Sequence, residues 1–308
     1  MAINFSGIHI PVVTPFRTDS KKSVDESALK SLVEYSIKVQ KADGIVPCGT
    51  TGESPTLSHE EHAQIIEIVI GCVKGRVPVI AATGSNSTEE AIRMTKHAEE
   101  AGADATLQVG PYYNKPTQEG MFAHFKAISE STSLPILIYN IPGRTGKNIE
   151  PKTLLRLWAG LPNIVGVKDC SCDAMQTMEL VNATRGKEKP FFVLTGEDIS
   201  TYSTLCLGGH GAISAVAHIV GAEYKQMCSL MLEKKEANYQ KKALDIHYKT
   251  MEIVKNLFIE TNPTPIKEAL QMMGITQNSL VRLPLVNMLP ANREILRKSL
   301  IALGKIKT

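Results

Sequence analysis

The stretch Ile-Val-Gly-Val-Lys-Asp, residues 164–169, shows the pattern that decides the fold of this chain. Its first four residues suit a buried strand, and the run then ends on Lys168. Near-continuous apolar runs are typical of parallel strands that are covered on both faces. Lysine rarely lies inside a protein unless it is paired. Lys168 therefore either reaches solvent with its stem over apolar surface, or lies inside for a chemical reason.

Seven further runs of the same kind recur at fairly regular intervals. They lie at residues 7–14, 42–49, 77–84, 105–113, 135–140, 191–198 and 211–217. The intervals between them carry helical patterns, such as the apolar face formed by Leu29, Leu32, Val33 and Ile37. The chain thus alternates between strands and helices.

Three positions indicate where helices begin. Ser58 and Ser87 are each followed three residues later by a glutamate, as in a capping box, so we expect helices to start just after both serines. Pro151 suits the first turn of another helix.

Eight strand–helix repeats predict an α/β fold, a (β/α)8 TIM barrel more than an open doubly wound sheet. The strand signals stop after about residue 222, and residues 223–258 predict one long helix. Pro263 and Pro265 should interrupt the helical region, which then continues to the end. We therefore predict a catalytic barrel over residues 1–230 and a C-terminal helical domain over residues 231–308.

The composition excludes several classes of protein. The formal charge of +3 is too small to indicate a nucleic-acid or anionic-membrane partner, and there is no basic block. The N-terminus does not resemble a signal peptide, and no run of about 18 apolar residues predicts a membrane span. The six cysteines are expected to be buried free thiols. Together these features predict a cytoplasmic protein.

Chemically unusual residues gather where the predicted strands end. In a TIM barrel the active site lies at the C-terminal ends of the strands. The second, fourth, fifth and sixth runs are followed or ended by Thr50, Thr51, Tyr113, Tyr139, Arg144 and Lys168. These side chains are therefore expected to face one mouth of the barrel.

This set suits the chemistry of an imine. A lysine in a water-poor pocket becomes neutral and can attack a ketone. Tyr139 can carry protons to and from the imine, and a chain from Tyr139 through Thr51 to Tyr113 would form a proton relay. The Arg144 fork suits one substrate carboxylate, and backbone amides around residues 50–52 can hold another.

Each residue also has an ordinary structural explanation. Tyr139 could be a core aromatic, Thr50 and Thr51 could be turn residues, and Arg144 could form a surface ion pair. Their joint placement favours the catalytic interpretation.

The sequence predicts neither a metal site nor a bound cofactor. His59 and His62 have the spacing of a metal pair, but with no third ligand in view a solvated or hydrogen-bonded role is favoured. The glycine-rich segments match neither a P-loop nor a dinucleotide fingerprint.

Five motifs carry a resemblance to a known family. They are Gly-Thr-Thr-Gly-Glu (49–53), Pro-Tyr-Tyr-Asn (111–114), Tyr-Asn-Ile-Pro-Gly-Arg-Thr-Gly (139–146), Val-Gly-Val-Lys-Asp (165–169) and Gly-Gly-His-Gly-Ala-Ile-Ser (208–214). In order and spacing they resemble the dihydrodipicolinate synthase family, a branch of the class I pyruvate aldolases that include N-acetylneuraminate lyase. The resemblance covers almost the whole chain.

The resemblance implies a lyase of the diaminopimelate route to lysine, with no metal or organic cofactor. Lys168 would form a Schiff base with pyruvate, and Tyr139 would move its protons. Thr51 would link Tyr139 to Tyr113, which in this family enters the active site of the neighbouring subunit. Members are usually homotetramers built as a dimer of tight dimers.

The resemblance also implies how the substrates are held. Thr50 and Thr51 would hold the pyruvate carboxylate with the main chain at Ile213. Arg144 would bind the carboxylate of the second substrate, L-aspartate 4-semialdehyde. The resulting enamine would attack the aldehyde, and the substrate amine would then displace Lys168 and close the ring.

Many family members are allosterically inhibited by lysine at the tight-dimer interface. The positions that match this site are Ser54, His59, His62, Asn86, Glu90 and Tyr112. Two departures from the family pattern are Asp169-Cys170-Ser171, where Glu-Ala-Ser/Thr is commoner, and Pro55, where a small residue is frequent. The first could alter the floor of the pocket, and the second bears on regulation.

Two other functions stay open on these residues. One is another class I pyruvate-dependent aldolase, either a 2-keto-3-deoxy sugar acid aldolase or an N-acetylneuraminate lyase. Arg144 together with Thr50 and Thr51 argues against it. The other is a barrel that binds a keto acid without turnover and acts as a regulator, against which Lys168 and both tyrosines argue.

Overall fold

The computed structural model of the chain describes residues 3–307. Its eight strands are parallel and adjacent in the order β2-β1-β8-β7-β6-β5-β4-β3. Bridging between Ile45 and Val79 brings β2 beside β3, so that the barrel closes. The strands are β1 (Gly7–Pro11), β2 (Gly44–Val46), β3 (Ile80–Ala82), β4 (Ala105–Val109), β5 (Ile136–Asn140), β6 (Ile164–Asp169), β7 (Phe192–Thr195) and β8 (Gly211–Ile213). Each lies inside one predicted apolar run, and the predicted (β/α)8 barrel is confirmed.

Helices connect the strands and cover the outside of the barrel. They are α1 (Glu26–Lys38), α2 (His59–Val73), α3 (Thr88–Glu100), α4 (Gln118–Ser129), α5 (Pro142–Thr145), α6 (Pro151–Gly160), α7 (Ala174–Thr184) and α8 (Thr201–Cys206). Four more helices follow β8: α9 (Ala217–Glu233), α10 (Tyr239–Asn256), α11 (Thr264–Met272) and α12 (Pro290–Ala302). None of the helices within residues 3–307 is long and apolar enough to cross a membrane.

The predicted helix starts are confirmed, but only one of the two capping boxes is complete. Ser58 accepts a hydrogen bond from the Glu61 amide (3.2 Å), and Glu61 accepts one from the Ser58 amide (3.0 Å). Ser87 accepts from the Glu90 amide (3.4 Å), yet the Glu90 carboxylate does not return the bond. Glu90 instead accepts from Ser85 and pairs with His59. These partners compete with the capping interaction.

The helical region after the barrel differs from the prediction. Residues 223–258 form parts of two helices and not one, because Lys234 and Asn238 adopt left-handed conformations between α9 and α10 (φ 53° and 60°). Pro263 precedes α11, whereas Pro265 lies in its first turn. The N–H groups of the first turn have no acceptor within the helix, so a proline there costs no hydrogen bond.

The barrel and the C-terminal helices share one hydrophobic core. Ile8 and Ile10 of β1 belong to the same buried cluster as Ile219 of α9, Leu270 of α11 and Leu296 of α12. Burying apolar area contributes about 25 cal/mol per Å², so these helices stabilise the barrel that they cover. The division at residues 230 and 231 stays a prediction.

The six cysteines are free thiols, but they are not all buried. Cys48, Cys170 and Cys228 are buried, whereas Cys172 and Cys206 are exposed. Cys172 follows β6, and Cys206 is the last residue of α8, where the chain reaches the surface.

Candidate active site

The barrel mouth contains a cavity of about 590 Å³. Its walls come from the loops that follow the strands and from a C-terminal segment, residues 258–262, between α10 and α11. Of the sequence-predicted site residues, the cavity is lined by Thr50, Thr51, Tyr139, Arg144, Lys168 and Ile213. Side chains from five loops and strand ends therefore converge on one space.

Lys168 lies inside the barrel and not at its surface. It is 6% exposed at the end of β6. Burial lowers its pKa, and the positive charge of Arg144 adds to that effect, while Asp198 and Glu197 oppose it. The neutral amine, which is the nucleophilic form, is thereby favoured.

The backbone around Lys168 leaves no spare room. A Cβ atom at Gly196 would overlap both Lys168 Cε and Cys170 Sγ. A larger residue just after β7 would therefore push against the Lys168 side chain, and glycine leaves room for it.

The Tyr139 ring lies beside the Lys168 amine. The two residues are paired across β5 and β6, and Lys168 Nζ lies 4.1 Å from the centroid of the Tyr139 ring. Burial raises the pKa of Tyr139 well above its ordinary value, and a hydrogen bond with the Thr50 side chain partly offsets this. The phenol therefore keeps its proton and can donate it.

The two threonines of the Thr50–Gly52 turn face different partners. The Thr51 hydroxyl accepts a hydrogen bond from Asn262 Nδ2 at 3.0 Å, whereas the Thr50 side chain is the one that lowers the pKa of Tyr139. The sequence predicted that Thr51 would contact Tyr139. Successive residues of a 3-10 turn point about 120° apart, so only one of the two can face the tyrosine.

Tyr113 lies outside the cavity. It is 91% exposed and follows β4 with a left-handed backbone (φ 71°). Within residues 3–307 of one chain, the proposed relay therefore lacks its last member. An exposed tyrosine of this size is available to a second subunit.

Arg144 and Ile213 lie on different walls of the cavity. Arg144 is exposed on the short helix α5, so its guanidinium is accessible at the mouth. Ile213 ends β8 and is 1% exposed, so only its main chain is suited to polar contact with a ligand.

The cavity is also lined by polar residues for which the sequence predicted no role, among them Glu197, Asp198 and Asn262. Glu197 and Asp198 follow β7, and Asn262 lies in the C-terminal segment. Asp198 is 2% exposed and accepts a hydrogen bond from Ser214, and burial raises its pKa to about 7. The sequence does indicate Glu197 and Asp198, because Gly196-Glu197-Asp198 ends the seventh apolar run and so belongs at the barrel mouth. For Asn262 the only local signal is Asn before Pro, which indicates a turn.

The departures from the family pattern after Lys168 have distinct surroundings. Asp169 is buried beneath the cavity and accepts hydrogen bonds from Asn140 Nδ2 (2.8 Å) and Ser171 Oγ (2.6 Å). Cys170 lines the cavity, and burial raises the pKa of its thiol. Cys170 therefore forms part of the cavity wall as an uncharged thiol.

The two histidines of the possible metal pair have separate partners. His59 Nε2 lies 3.2 Å from Glu90 Oε1 at the surface. His62 is buried, its Nε2 bonds with the carbonyl of Ala82 (2.9 Å), and burial lowers its pKa. Residues 3–307 contain no group of three or more His, Cys, Asp or Glu placed to hold a metal ion.

The other positions expected to bind lysine lie on three segments: the turn before α2, the start of α3 and the loop after β4. Asn86 Nδ2 donates to the carbonyl of Tyr112 (3.2 Å), and Tyr112 is 40% exposed. Ser54 is half-buried in the turn before α2. The structure thus connects His59 with Glu90 and Asn86 with Tyr112.

Comparison with known proteins identifies the family. The family model described as the dihydrodipicolinate synthetase family matches residues 4–303. The chain belongs to this family. It is 49% identical over 302 residues to the 4-hydroxy-tetrahydrodipicolinate synthase of Syntrophus aciditrophicus, covering 98% of this chain and 99% of the relative. The family consists of Schiff-base-forming lyases, so the protein is an enzyme and not a barrel that only binds a keto acid.

Two solved structures resemble the whole chain. The dihydrodipicolinate synthase of Acinetobacter baumannii, in complex with pyruvate, is 42% identical with a TM-score of 0.92, covering 98% of this chain and 100% of that one. The enzyme of Cyanidioschyzon merolae with lysine bound is 38% identical with a TM-score of 0.93, covering 98% and 99%. The likeness includes both the barrel and the C-terminal helices.

Proposed function

We infer that the enzyme condenses pyruvate with L-aspartate 4-semialdehyde, the 4-hydroxy-tetrahydrodipicolinate synthase reaction of the diaminopimelate route to lysine. The names of its full-length relatives support this reaction. The single observation that carries its imine chemistry is the buried Lys168, whose pKa is lowered and whose amine lies against the Tyr139 ring in the cavity at the barrel mouth.

The first half of the reaction uses Lys168 and Tyr139. The neutral amine of Lys168 attacks the ketone carbon of pyruvate, and loss of water gives the imine. Tyr139 donates a proton to the leaving oxygen and accepts protons in later steps. Removal of a proton from the methyl group then converts the imine into the enamine.

The second half forms the carbon–carbon bond. The enamine carbon attacks the aldehyde of the second substrate and regenerates an imine at Lys168. The amine of that substrate attacks the imine carbon, displaces Lys168 and closes the ring. The aldehyde oxygen takes up a proton and becomes a hydroxyl group, and the Lys168 side chain is released as the free amine. Addition and amine exchange change no oxidation state overall, so no oxidant or reductant is consumed.

The effect of the Thr50 side chain on the pKa of Tyr139, together with the bond of the Thr51 hydroxyl to Asn262, favours Thr50 over Thr51 as the middle member of the proton relay. Its outer member would be Tyr113 of a neighbouring subunit, because Tyr113 of the same chain is exposed outside the cavity. This relay requires an oligomer, and we propose the homotetramer of the family, a dimer of dimers.

The carboxylates of the two substrates would bind on separate walls. The amides of Thr50 and Thr51 have no acceptor among residues 3–307, since the turn bonds through the amides of Gly52 and Glu53. These free amides, with the main chain of Ile213, suit the pyruvate carboxylate. The exposed guanidinium of Arg144 suits the carboxylate of the second substrate.

A second candidate is another pyruvate-dependent aldolase, such as a 2-keto-3-deoxy sugar acid aldolase or an N-acetylneuraminate lyase. The imine chemistry would be the same, so Lys168 does not separate them. Arg144 and the paired threonines support the synthase. Turnover with aspartate semialdehyde, compared with sugar acids in the same assay, tests this choice.

The imine itself is tested by trapping. Borohydride reduction in the presence of pyruvate should attach a pyruvyl group to Lys168, identified by peptide mass spectrometry. Lys168→Arg retains a long side chain but cannot form the imine, so it should give no adduct and lower kcat by about 10³-fold or more. An unmodified Lys168 in the folded wild-type protein contradicts the proposed mechanism.

We also propose that L-lysine inhibits the enzyme at the surface formed by Ser54, His59, His62, Asn86, Glu90 and Tyr112. A lysine-bound relative and the His59–Glu90 pair support this site. Turnover should fall at millimolar lysine, and Glu90→Gln should weaken that inhibition, since Glu90 carries the negative charge that attracts an ammonium group. Unchanged turnover at these concentrations of lysine removes the proposal.

A further inference from the structure

Asn262 is the C-terminal segment's closest link to the predicted site residues. It lies between α10 and α11, is 7% exposed and lines the same cavity as Lys168. Its Nδ2 donates to the hydroxyl of Thr51 at 3.0 Å, across 211 residues of sequence. Both side chains are buried, so the bond is shielded from competing water.

The direction of this hydrogen bond decides what Thr51 can do. A threonine hydroxyl has one proton to donate and two lone pairs to accept with. Because Asn262 donates to one lone pair, the single proton of Thr51 is left free for another acceptor. An ionised carboxylate accepts such a proton strongly.

Packing alone does not explain an asparagine at this position. Asn262 Oδ1 is buried and has no hydrogen-bond partner within residues 3–307. Leaving a buried carbonyl unpaired is unfavourable. The one hydrogen bond of this amide group within residues 3–307 is the donation to Thr51.

The same C-terminal region also fixes the turn that carries Thr51. Lys267 of α11 forms a buried ion pair with Glu53, and the Arg282 amide donates to Glu53 Oε2 at 3.0 Å. On the barrel side, Thr14 Oγ1 donates to the carbonyl of Gly52 at 2.7 Å. The Thr51 main chain is thus held on both sides. The direction in which its hydroxyl proton points is then set by the hydrogen bond from Asn262.

We propose that Asn262 is a positioning residue that orients the Thr51 hydroxyl so that its proton is donated to the carboxylate of the keto-acid substrate. This inference rests on the proposed function, because it requires pyruvate beside Lys168. Asn262 acts through Thr51 and does not itself take part in bond formation. The C-terminal segment therefore contributes directly to binding of the first substrate.

The test reverses the hydrogen bond. In Asn262→Asp, which has nearly the same shape, the carboxylate accepts the proton of Thr51, so that the hydroxyl is no longer free for the substrate. The KM for pyruvate should rise by about tenfold or more, while kcat at saturating pyruvate changes much less. A purely structural role would lower stability without this division between KM and kcat.

Two further variants show whether the effect passes through Thr51. In a Thr51→Val background, Asn262→Asp should raise the KM by less than about twofold, because there is no hydroxyl left to orient. If the introduced carboxylate instead repels the substrate directly, Asn262→Asp should raise the KM for pyruvate equally in the wild-type and Thr51→Val backgrounds. That result overturns the proposal. Asn256→Asp is the matched control, since Asn256 also donates to a hydroxyl, that of Ser299 (2.6 Å), but does not line the cavity.

The remaining outcomes are decisive as well. If Asn262→Asp does not fold, Asn262→Leu removes the donor without adding charge, and its rise in KM must also vanish in the Thr51→Val background. Normal wild-type turnover with an Asn262→Asp KM within about twofold of wild type overturns this inference alone. Absence of wild-type turnover with pyruvate and aspartate semialdehyde overturns the proposed function and this inference with it.

Discussion

At the scale of single residues, Tyr139 tests the proton chemistry. Tyr139→Phe removes only the hydroxyl and keeps the ring beside Lys168. General acid–base groups contribute about 10²–10⁴-fold, so kcat should fall by that factor while pyruvate binding changes little. Steady-state kinetics and a pyruvate titration measure the two effects. Equal losses in rate and binding would show that the hydroxyl is structural.

Asp198 tests the electrostatics of the same cavity. Its pKa is raised by burial to about 7, so between about pH 4 and pH 7 the unfolded chain loses this proton while the folded protein retains it. Unfolding then releases a proton. The free energy of unfolding therefore falls as the pH rises from about 4 to about 7. A difference of about three pKa units corresponds to about 4 kcal/mol.

Asp198→Asn removes this ionisation and keeps an acceptor for Ser214. Its free energy of unfolding, relative to wild type, should therefore increase by about 2–3 kcal/mol between pH 5 and pH 8, since about two of the three pKa units fall in that window. Urea denaturation at several pH values measures the trend. Asp245→Asn, on the exposed side of α10, is the control. A difference that does not depend on pH contradicts the raised pKa of Asp198.

At the scale of elements, the ion pair between Lys267 and Glu53 joins α11 to the turn after β2. The side chains are 4% and 1% exposed, and Lys267 Nζ also donates to the carbonyl of Leu280 (2.8 Å). Removing one member of a buried pair leaves the other charge uncompensated, which costs about 3–5 kcal/mol. Lys267→Met should lower the free energy of unfolding by that amount.

A surface pair provides the comparison for Lys267. The side chains of Arg297 and Glu294 on α12 are 39% and 47% exposed, and Arg297 Nε lies 2.9 Å from Glu294 Oε2. Exposed pairs contribute about 0–1 kcal/mol because water and salt screen them, so Arg297→Met should have little effect in the same denaturation experiment. Similar losses for both variants would mean that the buried pair does not hold α11 to the barrel.

At the scale of the whole molecule, the exposed Tyr113 distinguishes a site within one subunit from a shared site. If Tyr113 serves its neighbour, a mixed dimer of Tyr113→Phe and Tyr139→Phe subunits contains one intact site, with Tyr139 from the first subunit and Tyr113 from the second. Co-refolding the two inactive variants should then recover a substantial fraction of the activity. If Tyr113 serves its own chain, each subunit lacks one tyrosine and no activity returns. Sedimentation of the mixture checks that dimers or tetramers form.

Much of this molecule follows from local patterns in the sequence. Eight near-continuous apolar runs determined eight parallel strands, because a strand covered on both faces needs apolar residues throughout. The same runs placed Tyr139 and Lys168 at strand ends, and hence at one mouth of the barrel. The capping serines and Pro151 located helix starts for equally local reasons.

Only the tertiary structure decided the contacts between distant segments. It joined Asn262 to Thr51 and Lys267 to Glu53, and it turned Thr50 toward Tyr139. It also raised the pKa of Asp198 by burial and left Tyr113 outside the cavity. Periodicity and capping rules act over a few residues, whereas these features depend on which surfaces meet after packing. The sequence by itself therefore determined the barrel and its nucleophile, and packing decided how the groups around that nucleophile are oriented and charged.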